Sequence, residues 1–440
     1  MIKDPIFYVT PDPERAVGPE AFLDNYHIIC FDDKQIVDLL RQRGVKIFSL
    51  AREIKKNHSF LRNAGKMLYH PLVQDYIERN SHSKKPGIIY FKPSYKIDFI
   101  CQKKGYLQIG NTARLNRLFE DKVKFYVMSK RNNWSVPNGK IGKLKNLKFD
   151  YPYVVQFGRG WAGTTTFFIR NDDERQNLVN KWGEKRVKIS KKIDGFTYLN
   201  NACVTNNKIL VSDPAIQLPQ LPNSKGNPTA TYGRQWPATG LTKTQSDLIN
   251  KITREVGKTM KTAGYKGWFG LDFLADIKTG EIYLSENNAR LTASASFYTQ
   301  MEIKSGVKNP LFLYHIAEFL GINLKKDWKQ SSFEASQIVL RNFSNNSIEI
   351  VNIPMSGAYN FDKKMTYLKP SIGLSDIKDK NEMYLTTPGI GDIVSPNTEL
   401  ATLEKLDKAL NQNLNFNPWV KFSIDCLDQT LKTRAVENTS

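Results

Sequence analysis

Apolar and polar positions change period repeatedly along this chain of 440 residues, and the changes divide it into four blocks. Over 1–115, short β-branched and aromatic runs, Tyr26-His-Ile-Ile-Cys-Phe31, Val45-Lys-Ile-Phe48 and Gly87-Ile-Ile-Tyr-Phe91, alternate with helical patterns near 34–43 and 70–78. Such alternation predicts a parallel sheet. The block 116–200 holds a strand at Tyr151-Pro-Tyr-Val-Val-Gln156-Phe and a second at Phe167-Phe-Ile. In 201–330 the capping box Thr242-Lys-Thr-Gln245 opens a helix with the stripe Leu248, Ile249, Ile252, Val256 and Met260. Ahead of it, Leu218 to Thr239 reads as a long Pro- and Gly-rich loop with Gln217, Gln220, Arg234 and Trp236, and loops of that length tend to be functional or disordered. The block 331–440 shows short strands around Pro-Gly turns, as in Thr387-Pro-Gly-Ile-Gly-Asp-Ile-Val394, then a helix from about Glu399. The fold class is therefore α/β followed by α+β, with a small β-rich end.

The chemistry concentrates in Trp268-Phe-Gly-Leu-Asp272-Phe-Leu-Ala-Asp-Ile-Lys-Thr-Gly280-Glu-Ile-Tyr-Leu-Ser-Glu286-Asn-Asn288-Ala-Arg290. Two strand-like runs flank Lys278-Thr279-Gly280, and a three-residue hairpin loop favours glycine at its last, left-handed position. If Ile277 pairs with Glu281, Asp272 falls opposite Glu286, with Asn288 two residues on along the same face. Like charges placed opposite each other destabilise a sheet unless a cation neutralises them. Three oxygen donors without His or Cys suit magnesium (or manganese) rather than zinc. The plainer alternative is a hairpin with two acids at a solvated edge.

Upstream, the first of the two strands runs into Gly158-Arg159-Gly160-Trp-Ala-Gly163-Thr164-Thr165 before the second begins. Glycines at that density let backbone N–H groups wrap an anion, and the threonines add donors. The arrangement is neither a Walker loop nor a dinucleotide fingerprint, since both of those open a helix. Alone, such a hairpin is more often only a mobile turn.

Together these segments resemble the ATP-grasp superfamily of carboxylate–amine ligases, over roughly residues 1–325, and most resemble its L-amino-acid and peptide ligases. The resemblance implies an ATP-grasp fold: a Rossmann-like unit (1–115), a subdomain with the glycine-rich hairpin (116–200), a subdomain with the magnesium site (201–330) and a β-rich cap (331–440). It implies ATP as cofactor, with the metal on Asp272, Glu286 and Asn288. Arg290, completing Glu-x-Asn-x-Arg, is expected on the acyl phosphate or carboxylate. Phe119-Glu-Asp-Lys122, followed by Trp134-Ser-Val-Pro137, resembles the family's helix-borne lysine, which places Lys122 on ATP phosphate. The Gly158–Thr165 loop is expected to cover the γ-phosphate. Ser190-Lys191-Lys192-Ile193-Asp194-Gly195 resembles the adenine-receiving hinge, with Thr197 just beyond it. Two positions depart from the pattern. Gln156 stands where a second phosphate lysine is usual, leaving that charge to Arg159 or Lys188, and Ser190 replaces the acid that accepts from the adenine amino group.

Composition bounds the partners. A chain of this length exceeds the size of a single core, so several domains are expected. The start lacks an apolar signal region and no run approaches the 18 or so apolar residues of a membrane helix, which predicts a cytoplasmic protein without membrane contact. Cys30, Cys101, Cys203 and Cys426 are scattered and read as small buried hydrophobes. The formal charge of +21 is unusual, and twelve Lys/Arg against two acids lie between Lys103 and Lys148, with a second cluster at Lys181–Lys192. Either this is a solvated surface, or it draws an anionic partner such as a polyphosphate, an acidic peptide or an acidic carrier protein. Nucleic acid is disfavoured because no recognition motif accompanies the charge. A homodimer is compatible with all of this.

The expected reaction is amide formation through an acyl phosphate, joining an amino acid to another amine, peptide or carrier and releasing ADP and phosphate. A biotin-carboxylase-like enzyme is disfavoured, because the Gln-Val-Glu-His continuation expected after Arg290 is here Thr292-Ala-Ser-Ala295. A nucleotide-regulated, non-catalytic binding protein of the same fold is the remaining alternative.

Overall fold

The structure is a computed structural model, described here for residues 2–55, 59–82, 84–160, 165–222, 230–324, 328, 333–361 and 364–436. The first block folds as its alternation predicts. A parallel five-stranded sheet runs in the order Lys46–Ser49, Tyr26–Cys30, Ile6–Thr10, Gly87–Tyr90, Leu107–Ile109. Its central strands are buried throughout, as a sheet covered on both faces requires. Helices Gln35–Gln42 and Pro71–Ser81 lie where the 3.6-residue period places them.

An antiparallel four-stranded sheet follows, ordered Gly139–Lys143, Arg186–Lys191, Tyr153–Phe157, Thr166–Ile169. Arg186–Lys191 lies second in it, and Gly195–Val204 then leads into the largest sheet of the described residues. There Ile282–Asn288, Gly267–Asp276, Gly195–Val204, Ala215–Gln217, Gly233–Trp236, Ala335–Arg341, Glu399–Lys405, Glu382–Thr386, Gly357–Phe361 and Met365–Lys369 are neighbours in that order, with Ile209–Val211 branching from Gly195–Val204. Strands from the last block thus extend the sheet that carries the paired carboxylates. One face packs with the first block in a single apolar core that joins Trp236, Ala335 and Tyr384 to Tyr8, Ile28 and Ile47. The other face is covered by helix Lys243–Thr262, whose capping box is formed.

Three local expectations fail. Leu248 is exposed, so the buried stripe of that helix is Ile249, Ile252, Val256 and Met260. The segment expected as a loop from Leu218 to Thr239 contains the strand Gly233–Trp236, while residues 223–229 lie outside the described residues. The segment from Glu399 is a strand, Glu399–Lys405, and the final helix is Pro418–Thr430. Its sequence, Glu-Leu-Ala-Thr-Leu-Glu-Lys, favours a helix locally. Pairing with Ala335–Arg341 and Glu382–Thr386 overrides that preference.

Candidate active site

Gly267–Asp276 and Ile282–Asn288 form the expected hairpin, and Asp272 pairs with Glu286. The turn differs from expectation. Asp276 N donates to Glu281 O at 3.0 Å, so the loop spans four residues, 277–280, and Ile277 N instead donates to Asp194 O at 3.0 Å. Gly280 keeps the left-handed conformation, with φ +71°. A turn of that length would by itself set Asp272 opposite Ser285. A β-bulge between Asp272 and Phe273 leaves Ser285 unpaired and returns Glu286 to the position opposite Asp272.

The two carboxylates meet different neighbours. Burial pushes Asp272 up to about 7, the adjacent Glu286 charge adds to this, and Asn288 Nδ2 donates to Asp272 Oδ2 at 3.3 Å. Glu286 Oε1 accepts from Lys122 Nζ at 2.7 Å. Lys122 is buried at the start of helix Lys122–Arg131, which Asp121 caps by accepting from Val123 N and Lys124 N. Lys122 N in turn donates to Gly158 O at 2.9 Å, which ties the glycine-rich loop to the helix start. A Cβ on Gly158 would stand 2.7 Å from an Asp121 carboxylate oxygen, so a side chain there would push on the carboxylate that caps the helix.

Lys188 pairs across the ladder with Gln156. Its side chain is 3% exposed, makes no ion pair among the described residues, and holds its ammonium 5.4 Å from the centre of the Tyr126 ring. Burial pushes it down to about 8; the Glu286 charge opposes that shift and the Lys122 charge adds to it. Of the two substitutes considered for the missing lysine, Lys188 is buried beside the carboxylates. Arg159 is exposed.

Arg290 is held on three sides: Nε donates to Glu120 Oε1 at 3.2 Å, Nη2 to Asn288 Oδ1 at 2.8 Å and Nη1 to Leu291 O at 3.1 Å. Its guanidinium carbon lies 4.9 Å from the centre of the Phe91 ring. Burial alone would raise Glu120, but Arg290, Lys92 and a hydrogen bond from Asn116 hold it below the usual carboxylate range. Glu120 and Lys92 were not foreseen as site residues. Glu120 is adjacent to the Asp121 cap in sequence, a signal that could have found it, whereas nothing local marks Lys92.

The remaining candidates lie on the four-stranded sheet, its glycine-rich loop and the start of the strand Gly195–Val204. Ser190 is buried between Gly139 and Val154 on neighbouring strands. Lys191 is exposed, Lys192 pairs with Asp194, Ile193 is half-buried, and Thr197 is half-buried opposite Leu274. Gln156 Nε2 donates to Thr166 Oγ1 at 3.4 Å, and Phe157 N donates to Thr165 O at 3.1 Å. Gly160 lies against Thr165, while Gly163 and Thr164 fall outside the described residues.

Among the described residues no group of three or more His, Cys, Asp or Glu side chains is placed to hold a metal ion by itself. The donor set is two facing carboxylates and an amide, with the Lys122 ammonium neutralising one carboxylate. That composition fits an oxygen-preferring divalent cation, which commonly takes one or two protein carboxylates with the rest of its ligands from phosphate and water.

No protein-family model and no curated protein matches the chain. Solved structures do. Biotin carboxylase from Campylobacter jejuni, in complex with a nucleotide described as beta-gamma-ATP, is 14% identical, with 99% of this chain and 93% of that one covered and a TM-score of 0.65. The biotin carboxylase domain of 2-oxoglutarate carboxylase from Hydrogenobacter thermophilus, in complex with MgADP, ADP and bicarbonate, is 15% identical over 93% of this chain and 91% of that one, with a TM-score of 0.61. N5-carboxyaminoimidazole ribonucleotide synthetase from Thermotoga maritima is 14% identical over 98% of this chain and 100% of that one, with a TM-score of 0.57. At such identities the likeness concerns architecture, and the architecture of this chain is the ATP-grasp fold.

Proposed function

We propose that this protein is an ATP-dependent, ADP-forming carboxylate–amine ligase that makes an amide or peptide bond through an acyl phosphate. The observation that carries the reading is the convergence, from separate elements, of Lys122, Lys188, Glu286, Asp272, Asn288 and Arg290 into one cluster of charged and polar side chains drawn from both antiparallel sheets and a helix start. Asp272, Glu286 and Asn288 would hold magnesium, which supplies charge neutralisation for the phosphates when bound. Lys122 and Lys188 bind and orient the phosphates; phosphate bound there competes for the Lys122 ammonium that now pairs with Glu286. Residues Gly158 to Thr165 cover the γ-phosphate and exclude water. The hinge from Ser190 to Ile193, with Thr197, receives adenine through main-chain groups. Arg290, fixed in orientation by Glu120 and Asn288, presents its remaining donor directions to the activated carboxylate. In phosphoryl transfer of this kind, positioning and charge stabilisation do most of the catalytic work.

A second reading makes bicarbonate the activated carboxylate, in line with the carboxylases among the structural neighbours. Against it stands the segment after Arg290: Thr292 and Ser294 hydrogen-bond to Asn201, and Thr292 accepts from Trp268 Nε1, so the stretch is polar structure without an acid. One experiment separates the two. Release of ADP from MgATP is measured with single amino acids, amino-acid pairs and bicarbonate in turn. Release that depends on an amino acid supports the ligase, release with bicarbonate alone transfers the assignment to a carboxylating enzyme, and no release under any condition overturns both.

A further inference from the structure

A row of polar side chains crosses the middle of the largest sheet, and its centre is Arg234. This residue is 5% exposed, and its Nε and Nη1 have no hydrogen-bond partner among the described residues. Directly paired residues in an antiparallel sheet share a face. Arg234 pairs with Gln217 on one side and Gln337 on the other, Gln337 pairs with Glu404, and Glu404 pairs with Tyr384. The acid in the row is already engaged: Glu404 accepts from Gln337 Nε2 at 2.7 Å and from Leu374 N at 3.1 Å. The Tyr384 hydroxyl, like Nε and Nη1 of Arg234, has no partner among the described residues.

The row faces the seam with the first block. Trp236, two residues along from Arg234 and therefore on the same face, packs with Ala335 and Tyr384 in the core shared with that block. From across the seam Arg15 reaches Glu399 at 3.7 Å and holds Asp12 at 3.1 Å, while Arg341, on the sheet itself, reaches the same Glu399 at 3.4 Å. Among the described residues no carboxylate forms an ion pair with Arg234. Burial pushes its guanidinium down to about 10; the Glu399 and Glu404 charges oppose that shift, and the neighbouring Arg15 and Arg341 charges add to it. The seam continues into the candidate active site, because Arg15 and Arg290 lie against the same Phe91 ring, at 4.6 and 4.9 Å.

A buried guanidinium with no ion pair among the described residues is costly, and an entering anion would remove that cost. We propose that Arg234 anchors the free carboxylate of the second substrate, a small molecule that carries this group in addition to the one that reacts. The inference rests on the ligase reading and deepens it. A carboxylate suits the site better than a phosphate dianion, since Asp12, Glu399 and Glu404 already surround the arginines, and a planar guanidinium binds a carboxylate through two parallel hydrogen bonds.

The test is thermal stabilisation of the full-length protein, without nucleotide, by a panel of free amino acids, their C-terminal amides and inorganic phosphate. It is applied to the wild type, Arg234→Gln, Arg234→Lys and Arg234→Met, with MgATP binding measured in parallel. At least one free carboxylate is expected to stabilise the wild type while its amide does not. Arg234→Gln and Arg234→Met should weaken that binding tenfold or more, and Arg234→Lys should recover only part of it. Arg234→Met should melt no lower than the wild type, because an apolar side chain of similar length removes the buried charge. A lower melting point, unchanged carboxylate binding in the variants, stabilisation by phosphate alone, or no ligand at all for the wild type would each overturn the proposal. Failure of MgATP to bind a wild type that still takes the carboxylate would instead remove the ligase reading and leave this site standing.

Discussion

Lys188 lies directly across the ladder from Gln156, so the positive charge missing from one strand is present on its neighbour and on the same face. Neither residue reveals this alone. If Lys188 serves the phosphates, Lys188→Met should raise the KM for ATP on the order of tenfold, and adding Gln156→Lys should restore most of it. Because burial lowers Lys188 to about 8, ATP affinity of the wild type should weaken as pH rises through 8, and that weakening should be absent in Lys188→Met. Equal ATP titrations of the wild type and Lys188→Met at pH 7 and 9 would return Lys188 to a structural role.

Glu286 faces both Asp272 and Lys122. Glu286→Gln removes a charge at nearly constant shape. It should reduce ADP formation by about a hundredfold or more while thermal unfolding stays cooperative. Initial rates at saturating magnesium, with calorimetry alongside, check both halves; full turnover would exclude Glu286 from the cation site.

Arg290 uses its planar fork on Glu120 and Asn288. Lysine keeps the charge but cannot make both contacts, so Arg290→Lys should lose roughly a hundredfold in amide synthesis while ATP binds nearly as before. The measurement is product formation by mass spectrometry beside an ATP titration. Undiminished synthesis would mean that the arginine only braces Glu120.

His315 is buried on helix Leu311–Leu320, where its Nδ1 accepts from Trp268 N at 3.0 Å at the head of the strand that carries Asp272. Burial pushes the imidazole down to about 3. The unfolded chain titrates near 6.5, so between these values it binds the proton that the folded chain refuses. Stability is thus fully present above about 6.5 and falls as pH drops, by up to about 1.4 kcal/mol per unit from this group. His315→Gln keeps an acceptor without titrating, and urea unfolding at pH 4.5, 5.5 and 7 should show a shallower acid slope. An identical slope would assign the acid sensitivity elsewhere.

What the sequence determined by itself is what neighbouring residues decide together. Gly280 marks the left-handed turn, the strand runs on either side set Asp272 and Glu286 on one hairpin, Asp121 caps the helix that begins at Lys122, and strand–helix alternation yields the parallel sheet. Each follows from backbone preference or side-chain period over a few residues. The tertiary structure decided what depends on partners far along the chain. The bulge at Ser285 corrects a turn that alone would misplace the acids, and long-range pairing turns Glu399–Lys405 and Gly233–Trp236 into strands. Lys122 finds Glu286, Lys188 comes to stand opposite Gln156, and Arg290 finds Glu120. Arg234, one polar residue in an apparent loop, becomes a buried, unpaired charge only because a strand from the last block closes beside it. Burial and charge environment are properties of the assembled sheets, and no local pattern carries them.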